Sequence, residues 1–205
     1  MSAETLLAFA GTCFLIEVTP GPNMAYLAVL SAGSGRRAGF AATAGIALGL
    51  LAVGSAAAFG LASLIAGSPL AYEALRWGGV AYLLWLAWDG WRDAETSAVE
   101  TEAPVADIRY FRRGLVTNLL NPKAAVFYVA VLPSFVDAGA PVLRQTLVLS
   151  VVYVAIATAI HAGIVALAGI ARPFLEDPAR NRVLRRTLSL ALAAIALWFA
   201  YSTRR

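Results

Sequence analysis

Six long apolar stretches separated by polar connectors set the pattern of the chain. They run over about Thr5–Ser31, Ala38–Ala66, Leu70–Trp91, Leu115–Phe135, Val142–Ile170 and Thr187–Tyr201. Each approaches or exceeds the ~20 residues that a helix needs to cross a ~30 Å hydrocarbon core. Strands of a membrane barrel would alternate apolar and polar positions, whereas these runs are continuous. The pattern therefore predicts an all-α integral membrane protein with six transmembrane helices. The last run is the shortest, and its Trp198 and Tyr201 suit an interfacial end. The first run opens Met1-Ser2-Ala3-Glu4, has no basic n-region and is longer than a signal-peptide core, so it is expected to be retained.

The connectors give the orientation. The first holds Arg36 and Arg37, the third Arg92, Arg109, Arg112 and Arg113, and the fifth Arg172, Arg180, Arg182, Arg185 and Arg186. The second and fourth hold one each, Arg76 and Arg144. The positive-inside rule makes the odd connectors cytoplasmic and places both termini outside; Arg204 and Arg205 oppose this and are outvoted. The segment Arg92–Arg109, with Asp93, Glu95, Glu100, Glu102, Asp107 and Pro104, reads as a mobile cytoplasmic linker. It divides one transmembrane domain, 1–205, into a first repeat (1–91), a linker (92–111) and a second repeat (112–205). Three helices per half invert the second half relative to the first.

Composition agrees with this reading. Of 205 residues, 60% are hydrophobic and 14% charged, against about a quarter charged in soluble domains. A single cysteine excludes a disulfide framework, a Cys-based zinc site and thiol-transfer electron carriage, and a single histidine leaves no imidazole cluster. No metal or cofactor is expected. The net charge of +4 comes from connector arginines and does not form a nucleic-acid footprint. Phosphate-loop and hydrolase motifs are lacking, so no enzymatic activity is expected.

The candidate chemistry sits at two interruptions. The first helix contains Glu17-Val18-Thr19-Pro20-Gly21-Pro22-Asn23, and the fourth Asn118-Leu119-Leu120-Asn121-Pro122-Lys123. Proline removes an amide donor and glycine permits unusual backbone, so neither stretch continues as regular helix. The freed carbonyls must be buried in protein or face a water-filled cavity. With Pro20 over Pro122, five of the twelve positions from Pro20 to Ser31 are identical, including Tyr26 over Tyr128. Interrupted helices at matching places in inverted halves point to a transport site.

Glu17 and Lys123 are the ionisable residues best placed inside spans, where a charge costs roughly 2.5–3.5 kcal/mol on insertion scales. Glu17 is a candidate to carry a coupling proton or meet a substrate ammonium, with a structural ion pair as the alternative. Lys123 is a candidate partner for Glu17 or for a carboxylate, the alternative being snorkelling to the interface. His161, mid-way along the fifth helix, is a candidate proton relay or a neutral hydrogen-bonding group between helices. Asp89, beside Trp88 and Trp91, reads as part of an interfacial anchor. Gly45-Ile-Ala-Leu-Gly49 is a small-xxx-small match, for packing within one chain or for a homodimer seam.

These motifs resemble the LysE/RhtB family of amino-acid exporters. The resemblance rests on Thr19-Pro20-Gly21-Pro22-Asn23, Gly35-Arg36-Arg37-Ala38-Gly39, Gly45-Ile46-Ala47-Leu48-Gly49, Ala81-Tyr82-Leu83, Phe111-Arg112-Arg113-Gly114-Leu115, Asn118-Leu119-Leu120-Asn121-Pro122-Lys123-Ala124 and Leu132-Pro133-Ser134-Phe135-Val136. It spans nearly the whole chain, and the two proline motifs together are specific. It implies a six-helix inner-membrane exporter built as a 3+3 inverted repeat and driven by the proton motive force. Its substrates would be amino acids or close derivatives, with Pro20, Gly21, Pro22, Asn121 and Pro122 shaping the central site. Many members carry an acidic residue just after the second glycine of the helix-two motif. Here Gly49 is followed by Leu50, which leaves Glu17 as the acid best placed to substitute. The readings weighed against a neutral amino-acid exporter are an exporter of another metabolite or cation and a non-transporting scaffold subunit.

Overall fold

The computed structural model describes residues 1–19, 21–60, 68–93, 103–137, 139–168 and 178–202. Pro20, residues 94–102 of the expected linker, Arg172, Arg204 and Arg205 lie outside the described residues. The described residues form helices and short connectors and include no strand. We number the helices α1 (Ala3–Val18), α2 (Pro22–Ser34), α3 (Arg36–Ala58), α4 (Pro69–Asp93), α5 (Ala103–Leu119), α6 (Pro122–Val126), α7 (Val142–Ala168) and α8 (Pro178–Ser202). After α6 the chain loosens into a π-turn segment, Phe127–Val131, and then tightens into a 3₁₀ turn, Leu132–Phe135.

By length and composition, two helices, α3 and α7, suffice to cross a membrane, or four spans if each bent pair counts as one. The bent pairs are α1 with α2, at 59°, and Asp107–Leu119 with Lys123–Phe135, at 51°. α4 and α8 are also 25 residues each, about 37 Å at 1.5 Å per residue. They fall short in apolarity. α4 carries Glu73, Arg76, Asp89 and Arg92 among its tryptophans and tyrosines, and the apolar part of α8 is confined to Arg186–Trp198.

Both interruptions follow local chemistry. α1 ends at Val18 and α2 restarts with Pro22 at its first position behind Gly21. α5 ends at Leu119 and α6 restarts with Pro122 behind Asn121, whose side chain accepts from the Lys123 amide at 3.0 Å. Proline suits a first helical position because the amide it lacks would be unpaired there anyway. Each restarted helix thus carries a proline at its first position, Pro22 in α2 and Pro122 in α6. Gly35, with φ at 91°, joins α2 to α3 alone, a left-handed conformation that a side chain would strain.

Two features of the expected layout differ in the structure. Residues 103–111 of the expected linker belong to α5, which buries Thr117 and Asn118 near its end. Asp89 is an ion-pair centre and not merely part of an interfacial anchor: it binds Arg109 at 2.9 Å and also Arg113. Nearby, Arg37 holds Asp107 at 2.8 Å, Arg36 donates to the Ala166 carbonyl at 3.1 Å, and Arg186 lies 5.0 Å from the Trp91 ring centre. Arginines of the first connector, the start of α5 and the start of α8 are thus gathered at one end of the molecule.

Small residues set the core. α3 buries Ala38, Ala42, Gly45, Ile46, Gly49 and Leu50, one stripe at helical spacing. Its most extensive packing is against α5, and the approach is reciprocal. A Cβ on Gly45 would collide with the Phe111 carbonyl, and one on Gly114 would collide with the Ala42 carbonyl. Gly49 lies against Asn118, and Gly54 lies against the Tyr128 ring, whose hydroxyl donates to the Leu50 carbonyl at 3.0 Å. Gly45 and Gly49 thus pack within one chain, against α5. α3 also packs on α7, and α4 on α8.

Candidate functional site

The two breaks meet at the centre of the bundle. Glu17 occupies the last turn of α1 and is 5% exposed. One of its carboxylate oxygens accepts a hydrogen bond from the Tyr153 hydroxyl at 2.7 Å. Lys123 Nζ lies 3.9 Å from the same oxygen, and His161 Nε2 lies 3.4 Å from the other. The histidine contact is close but not aligned as a hydrogen bond, and both ring nitrogens are buried without a hydrogen-bond partner among the described residues. Glu17 is thus a carboxylate inside the protein with a cation, an imidazole and a phenol around it.

Lys123 also closes the first break. Its ammonium donates to the Thr19 carbonyl at 2.9 Å, one of the groups that the helix interruption frees. The Thr19 hydroxyl turns back to the Leu15 carbonyl at 3.1 Å, so Thr19 offers the site its backbone and not its side chain. Gly21 leaves room for the lysine stem: an added Cβ there would sit 3.4 Å from Lys123 Cδ. A residue of the second break therefore satisfies the backbone of the first, which ties the start of α6 to the end of α1.

A second polar pair lies one turn away. Asn23, in the first turn of α2, donates to Asn118 Oδ1 in the last turn of α5 at 2.9 Å. Both side chains are buried, and Asn23 Oδ1 and Asn118 Nδ2 find no further partner among the described residues. Buried polar atoms without partners cost about 1–3 kcal/mol each, so an acceptor and a donor are on offer to a ligand here.

Of the residues singled out from sequence, Glu17, Gly21, Asn23, Asn121, Lys123 and His161 line a common cavity. Pro22 is buried at the start of α2, Asn118 stands behind Asn23, and Pro122 starts α6. Gly45 and Gly49 act in helix packing, Gly49 by admitting Asn118. The cavity is about 10 Å³, the space of about one water. This conformation leaves no room there for anything larger than a water.

Sequence reasoning missed Tyr153. It sits in the apolar run Val151-Val152-Tyr153-Val154 and looked like packing. Its signal was spacing: Tyr153, Ala157 and His161 follow one another at intervals of four, on one face of α7. The Tyr153 ring stacks on Phe127 at 3.8 Å between centres, which fixes its hydroxyl over Glu17. Leu50 lines the same cavity. The position after Gly49, where the resemblance leads one to expect an acid, thus lines the same cavity as Glu17.

The chain is 32% identical over 187 residues to the homoserine/homoserine lactone efflux protein of Salmonella typhimurium (strain LT2), covering 91% of each chain. It is 31% identical over 179 residues to an uncharacterized membrane protein of Vibrio cholerae, covering 87% of each. It is 36% identical over 135 residues to the leucine efflux protein of Salmonella typhimurium, covering 64% of this chain and 62% of that one. No solved structure matches. The LysE type translocator model matches residues 5–203, and the chain belongs to that family of membrane translocators.

Proposed function

We propose that this protein exports a small neutral amino acid or a close derivative, of the threonine, homoserine or leucine kind, across a bacterial inner membrane in exchange for protons. The observation that carries the reading is Glu17: a buried carboxylate at one helix break, within 3.9 Å of the Lys123 ammonium from the other. The pair is neutral overall, so it accepts a zwitterion without net charge. A basic substrate would bring a second cation to Lys123. The names of the relatives, efflux proteins for homoserine and its lactone and for leucine, favour the same class.

The architecture proposed for this activity has six spans as a 3+3 inverted repeat, with repeats 1–91 and 112–205 and residues 92–111 between them. It is supported by the matched breaks at Pro22 and Pro122 and by the packing of α3 on α7 and α4 on α8, the pairs that a two-fold axis would relate. The arginine-gathered end is taken as cytoplasmic, with both termini outside. Substrate enters between the halves, the broken helices hold its charged ends, and rocking of one half on the other opens the site outward. Glu17 carries the proton back, with His161 as relay.

Proteoliposomes loaded with threonine, homoserine, leucine, lysine or arginine test this directly. Efflux of the neutral members, stimulated by an imposed proton gradient, is expected. Silence across the panel from vesicles holding folded protein would refute the export reading, and preference for lysine or arginine would refute the neutral substrate class.

Tyr153→Phe should keep the stack on Phe127 and remove the hydrogen bond to Glu17. Hydrogen bonds to charged groups are worth about 1.5–3 kcal/mol, so gradient-driven efflux should fall at least about tenfold. The purified variant should melt within a few degrees of wild type. Unchanged efflux would show that the phenol only fills space.

A further inference from the structure

A second polar cavity lies at the arginine-rich end, apart from the Glu17 site. It measures about 60 Å³ and is walled by Tyr26 and Ser34 of α2, Tyr110 and Arg113 of α5 and Ser189 of α8, with aliphatic side chains completing it. At about 10–15 Å³ per water-sized group, it holds roughly four to six heavy atoms. That matches the ammonium, α-carbon and carboxylate of an amino-acid head group, with the side chain left pointing out.

Two observations mark it as a place for a ligand. Tyr26 is 3% exposed, and its hydroxyl is buried with no hydrogen-bond partner among the described residues. A buried hydroxyl left unpaired is costly, and a ligand oxygen would relieve it. Arg113 brings a guanidinium already held in place, one Nη on Asp89 and its carbon 5.2 Å from the Trp85 ring centre. A guanidinium fork suits a carboxylate, and its anchoring removes the entropy of ordering a long side chain. The cavity lies between the proposed halves, since α2 and α4 come from one and α5 and α8 from the other. Tyr26 is one helical turn along α2 from Asn23, about 4.5 Å of rise, so this cavity adjoins the central one.

We propose that it is an entry subsite for the carboxylate of a zwitterionic amino acid, with Arg113 as counter-charge and the Tyr26 hydroxyl as donor. Its place on an export route rests on the function proposed above, and its binding chemistry does not. Substrate would dock here from the cytoplasmic side and pass to the Glu17 site when the halves part.

Equilibrium binding of radiolabelled homoserine to the purified full chain tests the subsite, with homoserine methyl ester as competitor. The free amino acid should compete at least about tenfold better than the ester, which lacks the carboxylate charge. Tyr26→Phe, which removes only the unpaired oxygen, should weaken binding about tenfold, and Arg113→Lys should weaken it at least as much. Because Arg113 stacks on Trp85, occupation should also change tryptophan fluorescence, and Trp85→Phe should remove that signal. Equal competition by the ester, or wild-type affinity in Tyr26→Phe, would overturn the proposal. Wild-type vesicles that bind homoserine in this way yet show no gradient-stimulated efflux would refute the export reading and leave the subsite standing.

Discussion

Glu17→Gln is expected to cut gradient-driven net efflux on the order of a hundredfold, about 2.7 kcal/mol of barrier, while the fold survives. Glutamine is nearly isosteric and still accepts from the Tyr153 hydroxyl, so the packing around Phe127 and Tyr153 has no reason to change. Lys123 loses a partner at 3.9 Å but keeps the Thr19 carbonyl at 2.9 Å, so it is not left without hydrogen bonding. What glutamine lacks is a titratable proton. An exporter that moves protons inward must load and unload one carrier in each cycle, and net efflux stops if the carrier cannot titrate. Exchange of labelled for unlabelled substrate across the membrane needs no net proton movement, so it should persist. Vesicle assays that measure both processes separate a lost carrier from a lost binding site. Wild-type gradient stimulation in Glu17→Gln would remove Glu17 from the coupling role.

Much of this arrangement was legible in the sequence because it rests on residues with strong local rules. The Pro-Gly-Pro and Asn-Pro motifs cannot continue a helix, and both breaks fall there. Glu17 and Lys123 were drawn together by the cost of burying either charge alone, and His161 was singled out as the only imidazole. Where the rules are weak, the reading failed. Tyr153 was hidden because an aromatic in an apolar run is equally at home in packing, and only its partner reveals its role. Asp89 read as part of an interfacial anchor because its arginine partners lie 20 and 24 residues away, across a segment that looked like linker. The start of α5 was taken for tether because its charges mask an amphipathic period.

The crossing of α3 and α5 carries the second large effect, on stability. Gly45→Ala should lower the melting temperature of the purified protein by roughly 6–12 °C, from about 3 kcal/mol of overpacking at 2–4 °C per kcal/mol. The added methyl would meet the Phe111 carbonyl and the Leu115 amide, which are backbone atoms that no rotamer change can move aside. Helices in lipid gain little from burying apolar surface against each other, so close packing is what holds this pair, and forcing it apart forfeits that directly. Gly163→Ala and Gly11→Ala are the matched controls, since an added Cβ meets nothing within 4 Å at either place. Both should melt like wild type or slightly above it. Gly114→Ala presses on the Ala42 carbonyl from the other side of the same crossing and should be similarly costly. The double variant should cost less than the sum of the two, because separating the helices once accommodates both methyls. Full additivity would mean that the glycines act independently, and an unchanged melt in Gly45→Ala with an altered oligomeric state would return this stripe to a contact between copies. Efflux should fall with the melt, because the same crossing holds Asn118 against Gly49 and, through it, Asn23 at the central cavity.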